Sequence, residues 1–223
     1  MQKAIFNIQN ETDFERCALQ VFKHQFENNK VYRSFCDLLY IHPSDVKEVT
    51  QIPFLPIQFF KTHQVLSTNQ SVQETFTSSG TTGAQVSKHL VADLSWYETS
   101  YTRAFEHFYG SVKDYTVLGL LPNYLEREGS SLIYMVNDFI HKSNNPKSGF
   151  YLDTLSELTK TLIALDQKGE KVLLIGVTFA LLDLIESQTF SLKNTVIMET
   201  GGMKGRRKEM IREELHEILA AGF

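Results

Sequence analysis

The chain is poor in the residues that mark several protein classes: 223 residues contain two cysteines, five prolines and one tryptophan. Cys17 and Cys36 supply neither a disulfide framework nor zinc-ligand spacing, which suits a reducing compartment. Either thiol is a candidate nucleophile, but a lone cysteine on an apolar helix face is ordinarily packing. The seven histidines show no His-x-x-x-His spacing, so no protein metal site is expected. Positive charge is not in excess, since the formal net charge is −4, and that argues against a general nucleic-acid binder. No apolar run approaches the roughly 20 residues needed to span a bilayer. The first eight residues, Met1 to Ile8, lack the hydrophobic core of a signal peptide, so the expected location is the cytoplasm. Internal repeats, low-complexity segments and interdomain linkers are also missing, and a single domain over 1–223 is expected.

What is present is concentrated in one stretch. Five hydroxyl residues and two glycines fall within Thr77-Ser78-Ser79-Gly80-Thr81-Thr82-Gly83. Glycines allow a tight turn and a close backbone approach, and the exposed N–H groups of such a loop form an anion cradle. Ser and Thr hydroxyls add donors to phosphate oxygens and ligands for a magnesium ion. The loop therefore reads as a site for a nucleotide's phosphates, although composition alone supports an ordinary flexible loop equally well. The P-loop pattern is not met, because Gly83 is followed by Ala84-Gln85.

The periodicity along the chain changes in a regular way. Residues 1–50 read as a helical segment, with Thr12-x-x-Glu15 as a capping box and Phe14, Cys17, Ala18, Val21 and Phe22 at helical spacing. Ile52-Pro53-Phe54-Leu55-Pro56-Ile57-Gln58-Phe59-Phe60-Lys61 follows, extended by its prolines and lying as an apolar connector on the core. Ser95-x-x-Glu98 then opens a helix carrying Tyr97, Tyr101, Ala104, Phe105 and Phe108 on one face. Buried strands are expected over 115–121, 171–177 and 194–198, and helices over 130–141, 154–169, 178–186 and 205–221. The last of these should turn Ile211, Leu215, Ile218 and Leu219 inward. Continuous apolar strands alternating with helices mean an α/β fold with a mostly parallel sheet flanked by helices.

In such folds ligands collect at the carboxyl ends of the strands. Three polar loops take that position: 122–131, Thr178 and its neighbours, and 199–205. Gly129-Ser130 sits where a helix N-terminus offers free N–H groups to an anion, and Gly and Ser are equally common there as helix caps. Gly201-Gly202 leaves a flat backbone surface for a planar base, and a tight turn into the last helix explains it as well. The cluster Lys204, Arg206, Arg207 and Lys208 opposes the dipole of the helix it is expected to start. It is either solvated or matched to an anionic partner. His89, just beyond the hydroxyl loop, is the histidine best placed to take part.

Taken together, four segments resemble the adenylate-forming superfamily, and within it the LuxE-like acyl-protein synthetases. They are Ile52-Pro53-Phe54-Leu55-Pro56 with Phe59-Phe60-Lys61; the loop Thr77 to Gly83; Leu121-Pro122-Asn123-Tyr124-Leu125-Glu126-Arg127-Glu128-Gly129-Ser130-Ser131-Leu132; and Glu199-Thr200-Gly201-Gly202-Met203-Lys204-Gly205. The resemblance implies an adenylate-forming N-terminal domain that joins a carboxylic acid, in this group a fatty acid, to AMP at the expense of ATP with Mg²⁺. It implies transfer of the acyl group to a protein thiol and onward to a reductase partner. Thr77, Ser78, Ser79, Gly80, Thr81, Thr82 and Gly83 would then grip the phosphates, and Gly201 and Gly202 would stack the adenine. Tyr124, Glu126, Gly129 and Ser130 would border the acyl pocket. Lys88 stands two positions beyond the lysine of the superfamily's Gly-x-Pro-Lys. The superfamily's Tyr-Gly-x-Thr-Glu motif and C-terminal domain are not present by residue 223, so catalytic residues and the acceptor cysteine are expected beyond it. An N-terminal portion with weak activity or none is the expectation. A related acyl- or aryl-CoA ligase, and a non-catalytic nucleotide-binding remnant, are the alternatives.

If the hydroxyl loop holds phosphates, a Gly80→Ala, Thr81→Ala double substitution in the complete enzyme should slow adenylation by more than about tenfold. Pyrophosphate exchange reads this directly, and unchanged turnover would remove the assignment.

Overall fold

The computed structural model describes residues 2–78, 85–121, 129–202, 207–208 and 210–223. The chain divides into two compact units, Met1–Thr102 and Arg103–Phe223.

The first unit is built on α2 (Glu11–Asn28) and α3 (Lys30–Leu38), preceded by the short α1 (Gln2–Ile5). Asn29 alone joins α2 to α3 and serves both ends. Its backbone N–H reaches Gln25 O at 2.9 Å, while its side-chain oxygen accepts from the Tyr32 N–H at 3.2 Å. One residue thus closes one helix and opens the next. The two helices bury Phe22, Phe26, Tyr32 and Cys36 around Val46, with Ile52 and Leu55 of the proline-containing connector packed against the cluster. The Tyr32 hydroxyl donates to Pro53 O at 2.7 Å, so the connector lies on this core as its apolar sequence predicts.

Beyond the connector come α4 (Phe59–Thr62) and an antiparallel pair, β1 (Glu74–Thr77) and β2 (Lys88–Val91). Helix α5 (Leu94–Tyr109) follows. Phe76 is buried against Tyr97, the rings meeting edge-on at 5.3 Å.

The second unit is an α/β layer. A four-stranded parallel sheet runs in the order β4 (Gly149–Phe150), β3 (Thr116–Leu120), β5 (Val172–Gly176), β6 (Thr195–Glu199). Helices α6 (Ser131–Ser143), α7 (Leu155–Gln167) and α8 (Thr178–Ser187) make the crossovers, and α9 (Arg212–Gly222) ends the chain. Every residue of β3 and β5 is buried, as continuous apolar runs in a covered parallel sheet require. Two glycines record how closely helices approach. A Cβ on Gly119 would lie 2.8 Å from the Phe150 ring and 3.3 Å from Val136 of α6, and one on Gly176 would lie 2.8 Å from Leu181 of α8. Gly176 pairs with Leu120, the residue after Gly119, and strand residues alternate faces. Helices α6 and α8 therefore cover opposite faces of the sheet.

Several local expectations are corrected. Helix α2 is capped by Asn10, whose side chain accepts from the Asp13 N–H at 2.9 Å, and not by Thr12. Phe14 is exposed. Asp93 takes the capping role expected of Ser95, accepting from the Ser95 N–H at 3.0 Å. A carboxylate offers a stronger acceptor than a hydroxyl at that position. Ala104 and Phe108 face solvent, leaving Tyr101 and Phe105 as the buried residues of that stripe. The last helix begins at Arg212 instead of residue 205, and Glu213 and Glu214 occupy its first turn. Ile211 and Ile218 are exposed, and only Leu219 is buried.

Replacing Gly176 by Ala should cost about 1–3 kcal/mol, because the new methyl overlaps Leu181 in a filled interior. Urea unfolding should show a lower midpoint with an unchanged slope, and an unshifted midpoint would contradict the packing described.

Candidate functional site

The hydroxyl loop leaves one strand of an antiparallel ribbon and returns on the other. Thr77 pairs with Lys88, and Phe76 with His89, so Thr77 and Lys88 project from the same face at the ribbon's end. One residue further out, the Ser78 N–H donates to Ser87 O at 3.1 Å, and the Ser87 N–H donates to the Ser78 hydroxyl oxygen at 3.0 Å. The Gln85 amide donates to Lys61 O at 2.6 Å, and the His89 ring stacks on Phe60 at 4.6 Å. These contacts tie the base of the loop to α4. The aromatic-lysine segment Phe59-Phe60-Lys61 and the hydroxyl loop, separate in sequence, thus share one small platform. Thr77, Ser78 and Lys88 lie within it; Ser79, Gly80, Thr81, Thr82 and Gly83 lie outside the described residues.

In the second unit, β3 leads through α6 to β4 on one side, whereas β5 leads through α8 to β6 on the other. The strand order therefore reverses between β3 and β5, the place beside whose carboxyl ends such folds bind ligands. Gly129 and Ser130 immediately precede α6, which follows β3. Ser130 is the N-cap of α6, its hydroxyl oxygen accepting from the Ile133 N–H at 3.4 Å; the capping explanation of this serine holds. Tyr124 and Glu126 lie outside the described residues.

Gly201 and Gly202 follow β6 with φ of +80° and +104°, a region that side chains rarely adopt. Both are exposed, and among the described residues nothing lies within 4 Å of where a Cβ of Gly201 would stand. Their geometry is fixed from α8. The Thr178 hydroxyl donates to the Glu199 carboxylate, and the Gly201 N–H donates to the same oxygen at 2.6 Å. In return, the Thr178 and Phe179 N–H groups at the start of α8 point to Gly201 O and Gly202 O at 3.4 and 3.5 Å. Composition and spacing alone did not single out Thr178 and Glu199 as a pair, because they are 21 residues apart and meet only across the β5–β6 ladder.

The basic cluster resolves differently from its sequence reading. Arg207 forks onto Glu186 at 2.6 and 2.7 Å and also binds Asp183, both on α8. These hydrogen bonds hold the Glu186 carboxyl below its usual range. Because α9 starts later than expected, Arg207 does not oppose a helix dipole. Lys204 and Arg206 lie outside the described residues. Cys36 is fully buried and its burial pushes the thiol up, the reverse of what a nucleophile needs. Among the described residues no group of three His, Cys, Asp or Glu side chains converges as a metal would require, and no helix is long and apolar enough to cross a membrane.

The aromatic platform and the base of the hydroxyl loop both fall inside a recognisable family segment. Residues 4–106 match the family model of the acyl-protein synthetase LuxE. The resemblance read from the motifs is thereby borne out over that segment. A curated relative, the long-chain-fatty-acid--luciferin-component ligase of Photorhabdus luminescens, is 30% identical over 70 residues. The aligned region is 31% of this chain and spans 60% of that relative's length. No solved structure matches the chain. The LuxE match includes the hydroxyl loop and ends before the Gly129-Ser130 and Gly201-Gly202 loops.

Adding a Cβ at Gly201 meets no neighbour among the described residues, so the expected cost is that of the positive-φ backbone. Gly201→Ala should lower stability by about 1–2 kcal/mol and Gly201→Asn by less, since Asn tolerates positive φ better. Urea unfolding of the pair checks the ranking.

Proposed function

We propose that the protein takes part in ATP-dependent activation of a long-chain fatty acid and its transfer to a protein thiol, the work of an acyl-protein synthetase. The observation that carries this reading is the glycine-and-hydroxyl loop held at the end of the β1–β2 ribbon, within the segment that matches LuxE. The name of the Photorhabdus relative, a ligase for long-chain fatty acids, supports the acid's class.

The chemistry sets clear demands. A carboxylate oxygen attacks the α-phosphorus of ATP, the bond to the β,γ-phosphates breaks, and acyl-AMP and pyrophosphate result. A thiolate then attacks the acyl carbon and AMP departs with its electron pair. The first step brings two anions together, so donors aimed at the phosphates must offset their repulsion and the charge that develops. Thr77, Ser78 and the loop they begin offer hydroxyl and backbone donors, and Lys88 beside Thr77 offers a cation. Mg²⁺ bound to the phosphates would supply further charge screening. The exposed turn at Gly201 and Gly202 offers its backbone to the planar base. The acyl acceptor and a reductase that receives the product are the partners this reading calls for.

The test is carboxylate-dependent ATP–pyrophosphate exchange, with a panel of fatty and aromatic acids, on the longest product of the gene. Exchange that requires fatty acids is the expected result. Product formation that requires coenzyme A would instead indicate a CoA ligase. ATP binding without exchange for any acid would indicate a non-catalytic nucleotide-binding module.

A further inference from the structure

We infer that Thr178 and Glu199 are positioning residues that hold the Gly201-Gly202 turn in the shape that receives the nucleotide; the inference rests on the nucleotide reading above. The turn has no regular ladder of its own, and two consecutive residues at positive φ are conformations a free glycine pair occupies only part of the time. Four donors fix it. The Thr178 hydroxyl and the Gly201 N–H converge on one Glu199 oxygen, and the first two N–H groups of α8 point to the carbonyls of Gly201 and Gly202. The neighbouring Thr200 is anchored as well, its N–H and hydroxyl donating to Gly176 O at 3.0 and 3.1 Å.

The arrangement is reciprocal. Helix α8 needs acceptors for its first N–H groups, and no side chain caps it; the turn needs partners to hold its flexible backbone in one shape. Thr178 is almost fully buried, so its hydroxyl must find an acceptor, and the Glu199 carboxylate at the end of the neighbouring strand provides one. Further along the same helix, Asp183 and Glu186 hold Arg207. The segment leaving β6 is thus pinned to α8 at both ends of residues 203–206.

Thr178→Val keeps the shape of the side chain and removes the donor, Thr178→Ser keeps the donor, and Glu199→Ala removes the acceptor from the other side. Calorimetric titration with MgATP and amide hydrogen exchange at Gly201 and Gly202 are measured on the same chains. The expected results are about tenfold weaker MgATP binding in T178V and in E199A, recovery to near wild type in T178S, and faster exchange at both glycines only where binding is weakened. The T178V, E199A double variant should bind no more weakly than E199A alone, because the Thr178 hydroxyl acts through the Glu199 oxygen. In the complete enzyme the Michaelis constant for ATP should rise, with that for the acid unchanged. Faster glycine exchange in T178V with wild-type MgATP affinity would overturn the positioning role and leave the nucleotide reading standing. Failure of the wild-type chain to bind MgATP would overturn both.

Discussion

Pairing of Thr116–Leu120 with Val172–Gly176 in parallel, sealed from water on both faces, is the constraint on which the second unit depends. Parallel neighbours cannot be joined by a tight turn, so each connection must cross the sheet through a helix and return. All the strand exits therefore collect at one edge. The glycines at 119 and 176 show how little room this leaves, since each lies where a methyl would strike the element packed against it. Burial of this kind, about 25 cal/mol per Å² of apolar surface removed from water, outweighs local propensity. Loops at the carboxyl edge are then free to carry polar chemistry, because they contribute little to the core.

The first unit solves a different problem. Its helices bury one compact aromatic and aliphatic cluster, and its ribbon β1–β2 is short enough that it needs support to persist. The support comes from Phe76 against Tyr97 and from the stacking of His89 on Phe60. A loop rich in glycine and hydroxyl groups has high entropy when free. Holding its two ends together through Thr77–Lys88 and the Ser78–Ser87 pair reduces the ordering that binding an anion would require.

Much of this was legible beforehand. The runs at 116–120 and 172–176 read as buried strands because nothing polar interrupts them beyond Thr116, and of the two readings of Ser130 the cap is the one observed. What misled was local capping chemistry. Thr12 and Ser95 satisfied a spacing rule, but Asn10 and Asp93 stood nearer the true helix starts and accepted the hydrogen bonds. Basic residues before α9 looked misplaced only while that helix was thought to begin at 205. A helix face read from periodicity alone also overstates burial at its ends, as Phe14 and Phe108 show.

The sequence by itself determined the α/β class, the order of its elements, the apolar strands and the LuxE resemblance, since each depends on residue type and short-range spacing. Tertiary structure alone decided that Lys88 stands across from Thr77, that Gln85 anchors to Lys61, and that Thr178 meets Glu199. It also decided that Arg207 is held by Asp183 and Glu186 rather than left to an anion. Those pairs are 11 to 24 residues apart, and only strand register and helix crossing bring them within hydrogen-bonding distance, where short-range patterning carries no information.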